Sequence, residues 1–330
     1  MEKRYLGDLV GIPTNIEPIN TKALILPRTR IGVEIEFERW NRVPPKPAGM
    51  WVHHPEEHSV RNNGTEFVTV GKGLQGQRVI DALDGFCESA RENNWDEGYP
   101  RAAIHVHMDV SDLDLNSGDL RRLMGIYFLV EHVFFHFAGE WRRHCGFCVA
   151  YEDGINDDGV VAELVTGTKS SERDDLLYLS NHCSRYQAVN LNAISKFGTL
   201  EFRHLPTTFD KERIVKWINM VMAVKRAALE MPELKDPLGA LSTLGPHALA
   251  EKIFSGVLSK EFIFEAVSPQ AMWQACDMSQ ALMGVAGQLK IEVPNPSVAW
   301  EALSLDNVNP ILEKKRAALA SSQSRKRKVA

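Results

Sequence analysis

Three short stretches of this 330-residue chain place ionisable side chains two residues apart. In IGVEIEFERW, residues 31–40, Glu34, Glu36 and Glu38 alternate with Ile31, Val33, Ile35 and Phe37. In AAIHVHMD, residues 102–109, His105 and His107 alternate with Ile104, Val106 and Met108. In GTLEFRHLP, residues 198–206, Glu201 and Arg203 alternate with Leu200, Phe202 and His204. Residues two apart on a β-strand share one face and lie about 7 Å apart. Taken singly, each stretch reads as an amphipathic strand with its polar face in water. Taken together, the polar faces carry Glu–Glu, His–His and Glu–Arg rather than the Lys, Thr, Ser and Gln of a solvated sheet. If the three strands belong to one sheet, those doublets converge on one cavity.

Carboxylates gathered in such a cavity repel, by about 4 kcal/mol per pair at 4 Å and an effective dielectric near 20. Either some of them take up protons or a cation sits among them. Carboxylate oxygens with an occasional imidazole suit hard divalent ions such as Mg²⁺ or Mn²⁺, which keep open positions for phosphate oxygens. An arginine two residues from such a carboxylate suits a phosphoryl group, which its planar fork grips through two hydrogen bonds. That combination reads as nucleotide phosphoryl transfer. No G-x-x-x-x-G-K-[ST] occurs, so it would not be the P-loop kind.

The elements that must hold these residues follow from periodicity. Residues 1–28, punctuated by Pro13, Pro18 and Pro27, form a lead-in arm. Strands are expected over 30–39, at Trp51, over Glu66–Val70, over 102–110, and over Asn190–Ser195 and Thr199–Leu205 with a hairpin turn at 195–198. NRVPPKPAG at 41–49 and RNNGT at 61–65 are loop and turn. Helices are expected through Val79, Leu83, Phe86 and Ala90, over Asp119–Ala138 with Ser117 as N-cap, and from an Asp210 cap through Trp217 to Leu229. Residues 236–320 read as a helical extension packing on the rest, and 321–330, ending RKRKVA, as a disordered basic tail. Strand pairs this close in sequence favour an α+β fold with an antiparallel sheet.

Bulk properties bound the function. A net charge of −5 gives no electrostatic footprint for nucleic acid. The five cysteines, Cys87, Cys145, Cys148, Cys183 and Cys276, are an odd set in a long chain, which suits a reducing compartment. The N-terminus lacks a signal-peptide core, and no apolar run is long enough for a membrane span. A cytoplasmic protein is expected.

G-V-E-I-E-F at 32–37, H-V-H at 105–107 and G-T-L-E-F-R at 198–203 together resemble the signature set of the carboxylate–amine ligase superfamily, which includes glutamine synthetase and glutamate–cysteine ligase. The nearer resemblance is to its amidoligase branch, often encoded by phages, and extends through HSVRNNGTEFVT, EHVFFHFAGEWRRHCGFC and RYQAVNLNAISKFGTLEFR, over roughly residues 30–230. It implies a curved antiparallel sheet forming a funnel, flanked by helices and spanning a catalytic domain at 29–235, with ATP entering one end and the acceptor the other. It implies Glu34, Glu36, Glu66, His105 and Glu201 as ligands of Mg²⁺ or Mn²⁺, and His107 near the nucleotide phosphates. Arg203 is implied as the group that stabilises the transferring phosphoryl, and Arg185 and Asn192 as contacts to substrate or nucleotide. Where the family reads Asp-Gly-Ser, this chain reads Glu57-His58-Ser59. Glu57 would then be a ligand whose longer stem moves its oxygen by a methylene, while Glu38, outside the motif, reads as a rim charge.

The implied reaction joins a carboxylate (glutamate, a peptide or a protein C-terminus) to an amine (ammonia, an amino acid or a lysine) through an acyl phosphate, releasing ADP and phosphate. The alternatives are a kinase-like phosphotransferase on the same fold and a non-catalytic metal- or nucleotide-binding module. C-G-F-C at 145–148, flanked by His144, reads as buried structural cysteines before it reads as zinc ligands. His53, His54 and His58 read as loop histidines, with a lid over the site as the sharper alternative.

Overall fold

The computed structural model describes residues 5–12, 21–54, 60, 64–97, 101–114, 118–151, 183–231 and 235–268. Its strands are β1 (Ile31–Phe37), β2 (Trp51–His54), β3 (Thr65–Thr69), β4 (Ala103–Asp109), β5 (Val189–Asn190) and β6 (Thr199–Pro206). They form one six-stranded sheet in the order β2-β3-β1-β4-β6-β5, antiparallel at every pairing. The helices are α1 (Leu6–Val10), α2 (Gln77–Glu92), α3 (Asp119–Ala138), α4 (Asn192–Phe197), α5 (Lys211–Glu230), α6 (Lys235–Phe254) and α7 (Lys260–Ala266). The architecture is α+β, with helices flanking an antiparallel sheet. None of the described helices is long and apolar enough to cross a membrane.

Alternation decides which face of the sheet the helices cover. Ile31, Val33, Ile35 and Phe37 of β1, Ile104, Val106 and Met108 of β4, and Leu200 and Phe202 of β6 lie in one apolar core with residues of α2, α3 and α5. Phe37 meets Phe86 of α2 edge-on at 5.9 Å. Phe134 of α3 stacks on Phe202 at 5.7 Å and meets Trp217 of α5 at 5.3 Å. α5 starts where expected, because Asp210 accepts hydrogen bonds from the backbone N–H groups of Glu212 and Arg213. The N-cap position of α3 is Gly118, with no side-chain cap; Ser117 lies outside the described residues.

Within the lead-in arm, the described residues 5–12 are packed against the rest of the protein. Leu6 in α1 is fully buried, and its N–H donates to the Leu113 carbonyl. The extension is helical as far as Ala266 and leans on α3, through Phe254 on Phe134 at 5.8 Å and Phe262 on Phe137 at 5.9 Å. α6 is two helices that meet at Gly245, whose φ of 78° no helix adopts, just before Pro246. Residues 269–330, with the basic tail, lie outside the described residues.

One expected strand is corrected. Asn190–Ser195 is not a strand: β5 ends at Asn190, and the chain enters α4 at Asn192. The Asn190 side chain accepts from the Asn192 N–H, an Asx-type turn that starts the helix. Leu191 and Ile194, three apart, are both buried, which is helical spacing. Gly198 then ends α4 in the left-handed region at φ 67°.

Two core histidines predict a pH response. His132 is held at about 3, by burial and then by the Arg143 charge. Burial, followed by Arg142 and Arg143, pushes His204 well below its ordinary value. Both stay neutral in the fold, whereas the unfolded chain protonates them near pH 6.5. Their stability contribution is therefore complete above about pH 6.5 and is lost as pH falls, at roughly 1–1.5 kcal/mol per pH unit for each. Urea midpoints should drop between pH 7 and pH 5, and His132→Gln should make that drop shallower. An equal drop in the variant would show that His132 titrates normally.

Candidate active site

The face of the sheet away from that core carries the ionisable doublets. Glu34 faces His105 across β1 and β4, and Gly32 faces His107. His107 faces Glu201 across β4 and β6, and Glu36 faces Glu66 across β1 and β3. Three antiparallel pairings between strands that are not consecutive in the chain thus bring residues far apart in sequence onto one patch. α4 and the segments around Phe147 and Tyr186 wall it into a cavity of about 440 Å³.

At its floor the side chains interlock. His105 Nδ1 lies 3.1 Å from Glu34 Oε2 and 3.3 Å from Glu201 Oε1. His107 Nδ1 meets the Thr199 hydroxyl at 3.0 Å. His107 Nε2 lies 3.0 Å from Glu34 Oε1, but off the line of a hydrogen bond, so this buried nitrogen has no hydrogen-bond partner among the described residues. The Asn190 amide donates to Glu201 Oε2 at 2.6 Å. Arg203 donates from Nη1 to Glu201 Oε1 and from Nε to the Phe147 carbonyl at 3.2 Å.

Charges of both signs share this floor. Burial would raise the Glu34 carboxyl, but the nearby His107 charge, with the His105 hydrogen bond, outweighs it and holds Glu34 well below the usual carboxylate range. Against the cost of burial, Glu34 lifts His107 above its ordinary value in return. Burial also opposes the Arg203 charge, and Glu201 followed by Glu36 overcomes it. The mutual repulsion expected of the carboxylates is therefore offset by two imidazoles and a guanidinium.

Glu34, His107 and Glu201 each offer a ligand atom, and these atoms lie within 4.8 Å of one another. Among the described residues they are the one group of three or more such side chains placed to hold a metal ion. Two carboxylates and an imidazole nitrogen without a hydrogen-bond partner fit a hard divalent cation. His105 touches the same two carboxylates. Glu36 and Glu66 line the cavity without joining that group of three, and Glu36 Oε2 accepts from the Ala103 N–H at 3.1 Å. Asn192, the first residue of α4, and Arg185, which packs on Tyr186, also line the cavity. Glu57 lies outside the described residues. Glu38 is buried and does not line the cavity, so it is not a rim charge.

Several contributors escape a reading by motif. Asn190 and Thr199 orient Glu201 and His107, and Arg101, Lys196 and Phe197 line the cavity. The Asn one residue before the turn was legible in principle. An isolated Thr, Lys or Arg carries no signal of its own. Cys148 is buried in a small apolar cluster with Phe135, Ala150 and Ala188, and burial pushes its thiol up to about 12. Cys145 and Cys148 are free thiols outside any described metal-holding group. His53 packs between Trp40 and Phe67, at 4.3 and 4.9 Å, so it is not a loop histidine; His58 lies outside the described residues.

The glycine that opens the first motif has a steric reason. A Cβ at Gly32 would stand 3.1 Å from the His107 Cβ, so the bare backbone there lets His107 lie close over β1 beside Glu34, and a side chain would press on it. Gly32→Val should push that ring out of the site. Mn²⁺ affinity, read by calorimetric titration, should fall about ten-fold or more with unchanged far-ultraviolet circular dichroism. Unaltered affinity would mean that His107 is not held by this contact.

Residues 75–225 match the family model described as "Putative amidoligase enzyme", the family that the motifs resemble. The matched stretch contains H-V-H and G-T-L-E-F-R, while β1 with its glutamates precedes it and reaches the site through pairing with β4. No curated protein matches the chain.

Proposed function

We propose that this protein is an ATP- and Mg²⁺-dependent ligase, with Mn²⁺ able to substitute, that joins a carboxylate to an amine through an acyl phosphate and releases ADP and phosphate. The single observation that carries the reading is the meeting of Glu34, His107 and Glu201 with Arg203 on the floor of one cavity. The family match over residues 75–225 supports the ligase class. The six-stranded sheet is read as the curved funnel of the glutamine synthetase kind, and the setting as cytoplasm, that of the host cell if the gene belongs to a phage.

In this reading Glu34, His107 and Glu201 hold a cation, His105 braces the two carboxylates, and Glu36 and Glu66 add further oxygen ligands from the neighbouring strands. The cation, when bound, neutralises phosphate oxygens of ATP. Arg203 directs its fork at the γ-phosphoryl oxygens, where charge spreads in the transition state. Arg185 and Asn192 contact nucleotide or acceptor from the cavity wall. The substrate carboxylate bonds to the γ-phosphorus as the bond to ADP breaks. The amine then bonds to the carbonyl carbon, loses a proton, and phosphate leaves with one former carboxylate oxygen. Phe147, Tyr186 and Phe197 along the walls limit water, which would otherwise hydrolyse the acyl phosphate.

Mass spectrometry of extracts from cells expressing the wild type or Glu34→Gln tests the reading and names the pair. The wild type should accumulate a species whose mass is an acid plus an amine less water, absent with the variant. A species whose mass is an acceptor plus phosphate would indicate a phosphotransferase instead. Identical extracts would contradict both.

A further inference from the structure

β6 carries one extra residue where it passes β4. Ile104 faces Leu205 and Val106 faces Phe202, so a step of two on β4 meets a step of three on β6. The surplus falls at Arg203 and His204. In a regular strand successive carbonyls point to opposite edges. Here one guanidinium takes both: Arg142 donates from Nε to the His204 carbonyl and from Nη2 to the Arg203 carbonyl, each at 2.8 Å.

Arg142 lies in the 3₁₀ turn Glu140–His144 and is 1% exposed. Among the described residues no carboxylate pairs with it; its other contacts are the Cys145 sulfur at 3.6 Å and the Trp141 ring at 5.4 Å. A cation buried without a counter-charge is costly unless its hydrogen bonds are well placed, and these sit on the backbone of the residue whose side chain reaches Glu201. The same segment supplies the Phe147 carbonyl that receives Arg203 Nε. Bulges beside active sites re-aim side chains, and this one aims Arg203 at the carboxylates.

We infer that Arg142 is a positioning residue for Arg203: its fork holds the β6 bulge, and the bulge sets the direction of the Arg203 guanidinium. The consequence for catalysis rests on the ligase reading, while the positioning itself does not. Lysine at 142 keeps the charge but replaces the planar fork, whose Nε and Nη2 reach one carbonyl each, by a single flexible nitrogen that cannot hold both in that geometry. Arg142→Lys should therefore lower kcat for ADP release from Mg·ATP, with pooled acids and amines, about 100-fold, with little change in the KM for ATP. In an Arg203→Lys background it should cost nothing further. An equal loss in both backgrounds, or unchanged kcat, would overturn the inference.

A crystal structure of Arg142→Lys separates the two readings. Arg203 should leave Glu201 and the Phe147 carbonyl. If it stays on both, the positioning role is wrong whatever the reaction. If it moves and the wild type turns over no ATP, positioning stands and the ligase reading falls. Should Arg142→Lys not fold, Arg142→Gln, whose amide can donate to one carbonyl, is read the same way. Loss of the fold in both variants would make Arg142 purely structural and overturn the inference.

Discussion

Glu34→Gln is expected to lower Mg·ATP turnover by roughly a thousand-fold while leaving the fold in place. Glutamine keeps the shape and loses the charge that faces His105 and His107. Glu34 sits 3.1 Å from His105 and 3.0 Å from His107, and its carboxyl is held well below the usual range. A depressed value in the fold means that the charge stabilises the protein above the ordinary carboxylate pKa and that the gain is lost as pH falls. At pH 7 the variant should thus melt slightly below the wild type without metal, and the gap should close in acid. Mg²⁺ should raise the melting temperature of the wild type only, because ligand-linked stabilisation needs affinity for the native state. A variant that melts higher with Mg²⁺ by the same amount as wild type would show that Glu34 is no ligand.

The neighbouring substitution should act in the opposite way. Ile35 is fully buried on the core side of β1, paired with Phe67 of β3 and Ile104 of β4. Ile35→Asp removes apolar packing worth about 2–5 kcal/mol. It also puts a carboxylate where no described cation can pair with it, a further cost of several kcal/mol. Together these rival the ~5–15 kcal/mol that holds a typical domain folded. The variant should show no cooperative thermal transition and no metal response. A wild-type-like transition would mean that β1 can slip by one residue and trade its faces. Two substitutions one residue apart thus separate the chemistry of this strand from its packing.

That contrast also marks how far the sequence could be read. The period-two stretches around Glu34, His105 and Glu201 are strands of one sheet with their ionisable faces together, because strict alternation admits little else. The Asp210 cap was legible for the same local reason. The segment 190–195 was not, since Leu191 and Ile194 satisfy a helix while Asn190–Ala193 alternate like a strand. Strand order was not legible either: β1 lies between β3 and β4, a matter of long-range pairing that no local window contains. Arg142, in the run EWRRH, looks like any solvated basic residue. Its burial against two carbonyls depends on a bulge in a strand sixty residues away. Pairwise repulsion among glutamates was the natural expectation from composition, and only the register shows that His105 and His107 stand between them.

The measurement that bears most directly on the central claim is ³¹P NMR of purified protein with Mg·ATP and pooled carboxylates and amines, since one spectrum distinguishes every phosphorus product. ADP and inorganic phosphate should appear in equal amounts, only when both pools are present, and not at all with Glu34→Gln. AMP with pyrophosphate, a stable phosphorylated acceptor, or phosphate release indifferent to Glu34→Gln would contradict that claim.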